Sequence, residues 1–302
     1  MPEPKAGHDR VTQRLWPTLA APGVLWLIAL FLVPFYAVMA VAFSGTIDIF
    51  GQPIPAWNPF DWQFTTITDV IRESISGVYR ESWLRTGYYS FWALVICVGV
   101  GYPVAYYTAR LAGRQRGLVL ALILAPWWIN YITRMLAWVN LLQDDGYVND
   151  ILRLFGFAPV SWLSGNSFTV VVALAYGYIP FFIIPLYASL DRIDQSQLEA
   201  ARDLGASPFR TFWHVTLPLS KTGLLGGAVL ITLPMFGDYY TTNIVSGAPS
   251  TSMIGNQIDL YFHGGPQPTI GAAITVLLAL FLMVLMIYYM RTVHRASREI
   301  PA

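Results

Sequence analysis

Two opposite charges stand where apolar sequence makes charge expensive: Arg134 within YITRMLAWVN and Asp238 within LPMFGDYYTT. An ionisable side chain inside a membrane span normally faces the bundle interior or a watery cavity. Asp238 there can attract an ammonium group, with Arg134 holding the carboxylate while no cation is bound. Equally, the two can form a structural ion pair, or Asp238 can reach outer water. At ~1.5 Å per helical residue, Asp238 lies about 26 Å beyond Lys221 and Arg134 about 27 Å beyond Arg116, so both reach one depth. Trp127, Trp128, Tyr131, Tyr239, Tyr240 and Tyr261 fall near it. Their rings offer π faces to a cation, and Trp and Tyr also gather at membrane interfaces for reasons unconnected with a ligand.

Other chemistries find no residues to carry them. The chain has no G-x-x-x-x-G-K-[ST] loop to cradle nucleotide phosphates, and no G-x-S-x-G, H-E-x-x-H or paired carboxylates in a common element. No catalytic residue is assigned, and energy has to arrive through a partner. The single cysteine, Cys97, rules out an internal disulfide, and Cys/His spacing for a metal is absent. Asn130, His214, Asp259 and His263 read as ordinary polar residues.

The elements that position Arg134 and Asp238 are membrane helices. Hydrophobic residues make up 55% of the chain and charged residues 12%, half the ~25% of soluble domains. Net charge of +1 and the lack of a long basic run give no footing for nucleic-acid binding. Six stretches approach the ~20 apolar residues that a bilayer core demands: 19–43, 88–109, 118–142, 168–190, 219–241 and 270–289. Asn130 and Arg134 interrupt the third, and Pro234 and Asp238 the fifth. The first exceeds the apolar core of about 7 to 15 residues used by signal peptides, although Ala40-Val41-Ala42 resembles a cleavage site.

With both termini and the second and fourth loops assigned to the cytoplasm, thirteen Lys and Arg fall inside against four outside; Arg134 completes the eighteen. Both termini are therefore expected in the cytoplasm. Pro180 and Pro185 are expected to kink the fourth span. Gly223 and Gly227 form a G-x-x-x-G suited to close packing, within the chain or against another subunit. In the first outer loop, Val70, Ile71, Ile75, Val78 and Trp83 recur at near-helical spacing, consistent with a helix on the membrane surface.

Between the fourth and fifth spans lies EAARDLGASPFRTFWHVTLP, residues 199–218. Ala200 and Ala201 beside Glu199 permit close approach of a partner, Gly205 permits a backbone turn, and Leu217-Pro218 suits the opening of the next helix. In its order of Glu-Ala-Ala, three residues, Gly, nine residues, an aliphatic residue, one residue and Leu-Pro, the stretch resembles the cytoplasmic coupling loop of binding-protein-dependent ABC importer permeases. Residues 101–149, with Pro126-Trp127-Trp128, Asn130, Arg134 and Gly146-Tyr147-Val148-Asn149, and residues 233–262 are similar to the spermidine/putrescine permeases.

That resemblance implies an all-α type I importer fold of six transmembrane helices. Its parts are an N-terminal tail, first span and outer loop over 1–81, a transport domain over 82–293 and a cytoplasmic tail over 294–302. It implies a bacterial inner-membrane protein with a sister permease in a heterodimer, a pair of ATPase subunits that use ATP and Mg, and an extracytoplasmic polyamine-binding protein; this chain itself would hold no cofactor. The coupling loop is then Glu199, Ala200, Ala201, Gly205, Leu217 and Pro218. The substrate pathway is Asp238, Tyr239, Tyr240, Trp127, Trp128 and Arg134. Two alternatives stand beside this reading: an importer permease for an anion or metal complex, and a secondary transporter. The latter is expected to show inverted repeats or a carboxylate relay, and neither is visible.

Overall fold

A computed structural model describes residues 8–46, 48, 53–264 and 267–298, which form helices joined by turns and loops. The ends of the expected tails, 1–7 and 299–302, and residues 49–52 of the first outer loop lie outside the described residues. In chain order the helices are α1 (His8–Ala42), α2 (Thr65–Ser76), α3 (Arg80–Arg110), α4 (Arg116–Leu124), α5 (Tyr131–Leu142), α6 (Tyr147–Leu154) and α7 (Ser167–Asp191). There follow α8 (Gln195–Asp203), α9 (Pro208–Thr211), α10 (Leu217–Leu219), α11 (Lys221–Phe236), α12 (Tyr240–Val245), α13 (Ile254–Asp259) and α14 (Pro268–Arg298).

Apolar length alone does not say which helix is central; burial does. The most apolar stretch of α7 is 61% buried and that of α1 only 6%. Around α7 pack α3 and α11; buried Leu174, Phe182 and Leu186 of α7, Cys97 of α3, and Ile231 and Met235 of α11 belong to one core. A second core joins α1, α2, α13 and α14 through Phe43, Val70, Ile254 and Ile274. The expected helix of the first outer loop is α2 only as far as Ser76, where Gly77 ends it, so Val78 falls in the turn and Trp83 in α3; α2 buries Val70 and leaves Ile71 and Ile75 exposed.

The glycine pair settles where α11 packs. A Cβ on Gly223 would stand 2.3 Å from Ser189 Cβ and 2.9 Å from Pro185 O, and one on Gly227 2.9 Å from Phe182 O. The G-x-x-x-G motif thus seats α11 on the backbone of α7 within this chain. The Phe182 ring is wedged between two glycines, 2.8 Å from the Cβ position of Gly101 on α3 and 3.0 Å from that of Gly227. At the far end of α7, Arg110 Nη2 donates to Leu190 O and Ile193 O, both at 2.6 Å, which places a cation on the helix C-terminus.

Among the described residues, four helical stretches are long and apolar enough to cross a membrane unbroken: Leu19–Ala42, Arg80–Arg110, Ser167–Asp191 and Pro268–Val293. The fourth expected span continues through Pro180 and Pro185 without a break. The third and fifth expected spans depart from straight helices. Gly113–Trp128 meets Tyr131–Leu154 at 89°, and Pro208–Leu219 meets Lys221–Phe236 at 62°.

The break in the third stretch has a local cause. Pro126 lacks the N–H that would continue α4, and residues Ala125–Trp128 tighten into a 3₁₀ turn. Asn130 then begins α5 by accepting the Ile132 N–H at 2.9 Å. The 62° bend of the fifth stretch falls at Ser220; at the opposite end α11 stops at Phe236, and Asp238 accepts the Thr241 N–H at 2.9 Å at the start of α12. Asp238 therefore occupies a gap between two helices, where free backbone donors meet its carboxylate. Pro218 does not open the long helix either; it lies in α10, and α11 begins after Ser220.

Candidate functional site

The helix break over residues 126–130 and the gap between α11 and α12 at Gly237 open onto one space beside α7. Between them lies a cavity of about 540 Å³ lined by Trp127, Trp128, Arg134, Asp238, Tyr239 and Tyr240, all six residues of the expected pathway, together with Asn130, Tyr131, Gly177, Tyr178 and Phe181. Proline-induced termination on one side and Gly237 on the other leave room there that continuous helices would fill.

Asp238 is only 8% exposed. Its Oδ1 accepts the Thr241 N–H at 2.9 Å; its Oδ2 accepts the Thr241 hydroxyl at 2.7 Å and the Tyr178 hydroxyl at 3.0 Å. Tyr131 is hydrogen-bonded to the Thr241 hydroxyl in turn, so both tyrosines converge on the acidic corner. These bonds are what a buried carboxylate needs in place of water.

Arg134, 7% exposed, is not one of its partners. The guanidinium carbon lies 4.6 Å from the ring centre of Trp127, 5.5 Å from Tyr131 and 5.9 Å from Tyr176. Its Nε and Nη1 are buried without a hydrogen-bond acceptor. Trp127 is itself fixed by donation from Nε1 to Gly177 O at 3.2 Å, and Trp138 closes on Tyr176 with ring centres 5.3 Å apart. Tyr239 and Tyr240 stack at 4.2 Å, while Trp128 stands 85% exposed at the rim.

One aromatic falls elsewhere. The Tyr261 hydroxyl pairs with that of Tyr79 at 2.7 Å, within the second core. Tyr176, Tyr178 and Thr241 escaped the reading of the sequence. Tyr176-Gly177-Tyr178 inside an apolar span was the available signal for the first two.

At the other end of α7, the loop of residues 192–220 is built from capped short helices. Asp194 accepts the Ser196 N–H at 3.1 Å to start α8, and Ser207 accepts the Arg210 N–H at 3.3 Å to start α9 behind Pro208. Between them Gly205 has φ +82°, its N–H donating to Arg202 O at 2.8 Å while Ala206 N–H reaches Ala201 O at 3.1 Å. A Cβ at Gly205 would meet nothing within 4 Å, so glycine is required by the left-handed backbone and not by crowding.

A π turn over Phe212–Thr216 precedes Leu217 and Pro218. Phe212 packs on Tyr102 and Tyr106 of α3, with ring centres 5.5 and 6.1 Å away, and the Tyr102 hydroxyl bonds that of Ser220 at 2.8 Å. The loop is thus anchored to the central helices. Its outer face, however, carries Leu204, Phe209 and Trp213 at 90%, 71% and 50% exposure, beside exposed Glu199 and Ala200. Sequence reasoning singled out the small residues of this loop and passed over these large ones.

A bundle of apolar helices with two broken spans around a polar cavity, and an anchored loop with an apolar outer face, defines a multi-pass membrane transport component. The chain belongs to the family of binding-protein-dependent transport system inner membrane components, whose model matches residues 74–298. As a permease of that ABC importer family it is a transport subunit and not an enzyme.

It is 32% identical over 225 residues to the spermidine/putrescine transport system permease protein PotB of Escherichia coli (strain K12), covering 74% of this chain and 81% of that one. PotB of Haemophilus influenzae is 30% identical over 280 residues, covering 91% and 93%. Among solved structures, a chain of a bacterial alginate ABC transporter in complex with an alginate pentasaccharide-bound periplasmic protein matches with a TM-score of 0.73 at 15% identity, covering 95% and 96%. That likeness supports the fold.

Proposed function

We propose that this chain is the membrane-spanning subunit of an ATP-driven importer and carries polyamines of the spermidine/putrescine type into the cytoplasm. The observation that carries the reading is the acidic, aromatic-walled cavity between the two helix breaks, with Asp238 at one corner and the rings of Trp127, Trp128, Tyr239 and Tyr240 around it. A carboxylate and π faces in a low-dielectric cavity attract alkylammonium groups, and the named PotB relatives point to the same cargo.

In this reading the chain crosses the bacterial inner membrane six times, each bent pair counting as one span, with both termini in the cytoplasm. The loop around Glu199, Ala200, Ala201, Gly205, Leu217 and Pro218 docks on one of two ATPase subunits, which bind ATP and Mg. A sister permease completes the pathway, and an extracytoplasmic binding protein delivers cargo.

Asp238→Asn tests the cargo reading, because it removes charge while keeping size and hydrogen-bonding capacity. Uptake of radiolabelled polyamine is expected to fall by at least about tenfold, the scale of one lost charge-assisted contact. Recovery of the assembled complex should be retained. Wild-type uptake by this variant would overturn the role of Asp238.

A further inference from the structure

The cavity contains a second place for a cation, and a side chain of this chain holds it. Resting on the polyamine reading above, we infer that the rings of Trp127, Tyr131 and Tyr176 form a subsite for the second cationic end of the cargo. Arg134 occupies it as a tethered stand-in until cargo takes its place. The cargo class this defines is a short aliphatic amine whose other end is an ammonium or a guanidinium.

Three observations converge on this. The Arg134 guanidinium has aromatic faces at 4.6, 5.5 and 5.9 Å, the arrangement by which aromatic cages recognise organic cations. The cage is stiffened from behind by the Trp127 bond to Gly177 O and by Trp138 against Tyr176. Arg134 nevertheless gains little beyond the rings: it is more than nine-tenths buried, and two of its three nitrogens have no acceptor.

A buried charged donor without an acceptor is unfavourable. Exchange lets Arg134 recover hydration at the mouth of the cavity while the rings keep a cation. Asp238 remains for the cargo's first end. Thr241, Tyr178 and Tyr131 hold the carboxylate through neutral donors, which orient its negative charge without cancelling it. Because the cage already fits a guanidinium, agmatine, which is putrescine with one amine replaced by a guanidine, suits it as well as putrescine does. Butylamine, with one charge, needs only the Asp238 corner.

The test measures binding of putrescine, agmatine and butylamine by titration calorimetry to the purified complex of permeases and ATPase, without binding protein. Putrescine and agmatine should bind within a fewfold of one another and more tightly than butylamine. Arg134→Met, which vacates the cage, should tighten both dications by about tenfold and butylamine by clearly less, since only the dications gain the cage. Trp127→Leu should weaken both dications and spare butylamine, which serves if the Arg134 variant is not recovered.

Putrescine binding with agmatine excluded, or dication affinities indifferent to both substitutions, would overturn the shared subsite while the polyamine reading stands. Failure of all three amines to bind an intact complex would overturn that reading and the inference together.

Discussion

At the scale of single residues, Arg134 and Asp238 share a cavity without sharing a bond. Coulomb attraction draws opposite charges together in a low-dielectric interior, yet Thr241 and Tyr178 take the carboxylate and three rings take the guanidinium. This has a measurable consequence. In a double-mutant cycle of Arg134→Gln and Asp238→Asn, read as thermal stability of the purified complex, the coupling should stay at or below about 1 kcal/mol, the low end for residues that share a neighbour, here Tyr131, without a bond between them. A coupling of several kcal/mol, the scale of a broken buried pair, would restore the ion-pair reading. Both charges were legible in the sequence because each interrupts an apolar run. Thr241, three residues after Asp238, is a local partner that a helix-start reading could have found; Tyr176 and Tyr178 come from α7, and only tertiary packing brings them to the two charges.

At the scale of elements, glycine acts in two distinct ways, and the two predict different failures. Gly205 is needed for its φ of +82°, with open space where a side chain would go. Gly227 is needed because α7 lies where its Cβ would be. Gly205→Val should therefore cost about 1–2 kcal/mol locally in the loop, reduce ATP-driven transport and leave the amount of protein in the membrane nearly unchanged; Gly205→Asn should be milder, since Asn tolerates the left-handed region. Gly227→Val should instead lower membrane abundance and the melting temperature of the complex by overpacking, typically about 1–3 kcal/mol. Quantitative blotting beside transport assays separates the cases, and equal loss of abundance in both would contradict the distinction. The motif order 199–218 made the loop visible in the sequence, whereas the exposed Leu204, Phe209 and Trp213 were hidden by their resemblance to ordinary apolar residues. The break of the third stretch was signalled by Pro126 and Asn130 and the end of α11 by Pro234 and Asp238, whereas the bend at Ser220 and the angles of 89° and 62° arise from packing and cannot be read from composition.

At the scale of the whole molecule, the six-span reading makes a topological prediction. Cysteines introduced at Ser161 and Ser250, both exposed, should react with a membrane-impermeant thiol reagent applied outside intact cells, and one at exposed Ser196 should react only after permeabilisation. Cys97 is fully buried and should give no background. Labelling of Ser196→Cys from outside would invert the orientation and remove the loop from the side where ATP is available. The placement of Phe182 carries one more consequence. Its ring leaves no slack between the Gly101 and Gly227 backbones, and close-packed interiors do not deform continuously. On the transport reading, helices α3, α7 and α11 are therefore expected to move as one block, with bending taken up at the 89° break near Pro126 and the 62° bend at Ser220.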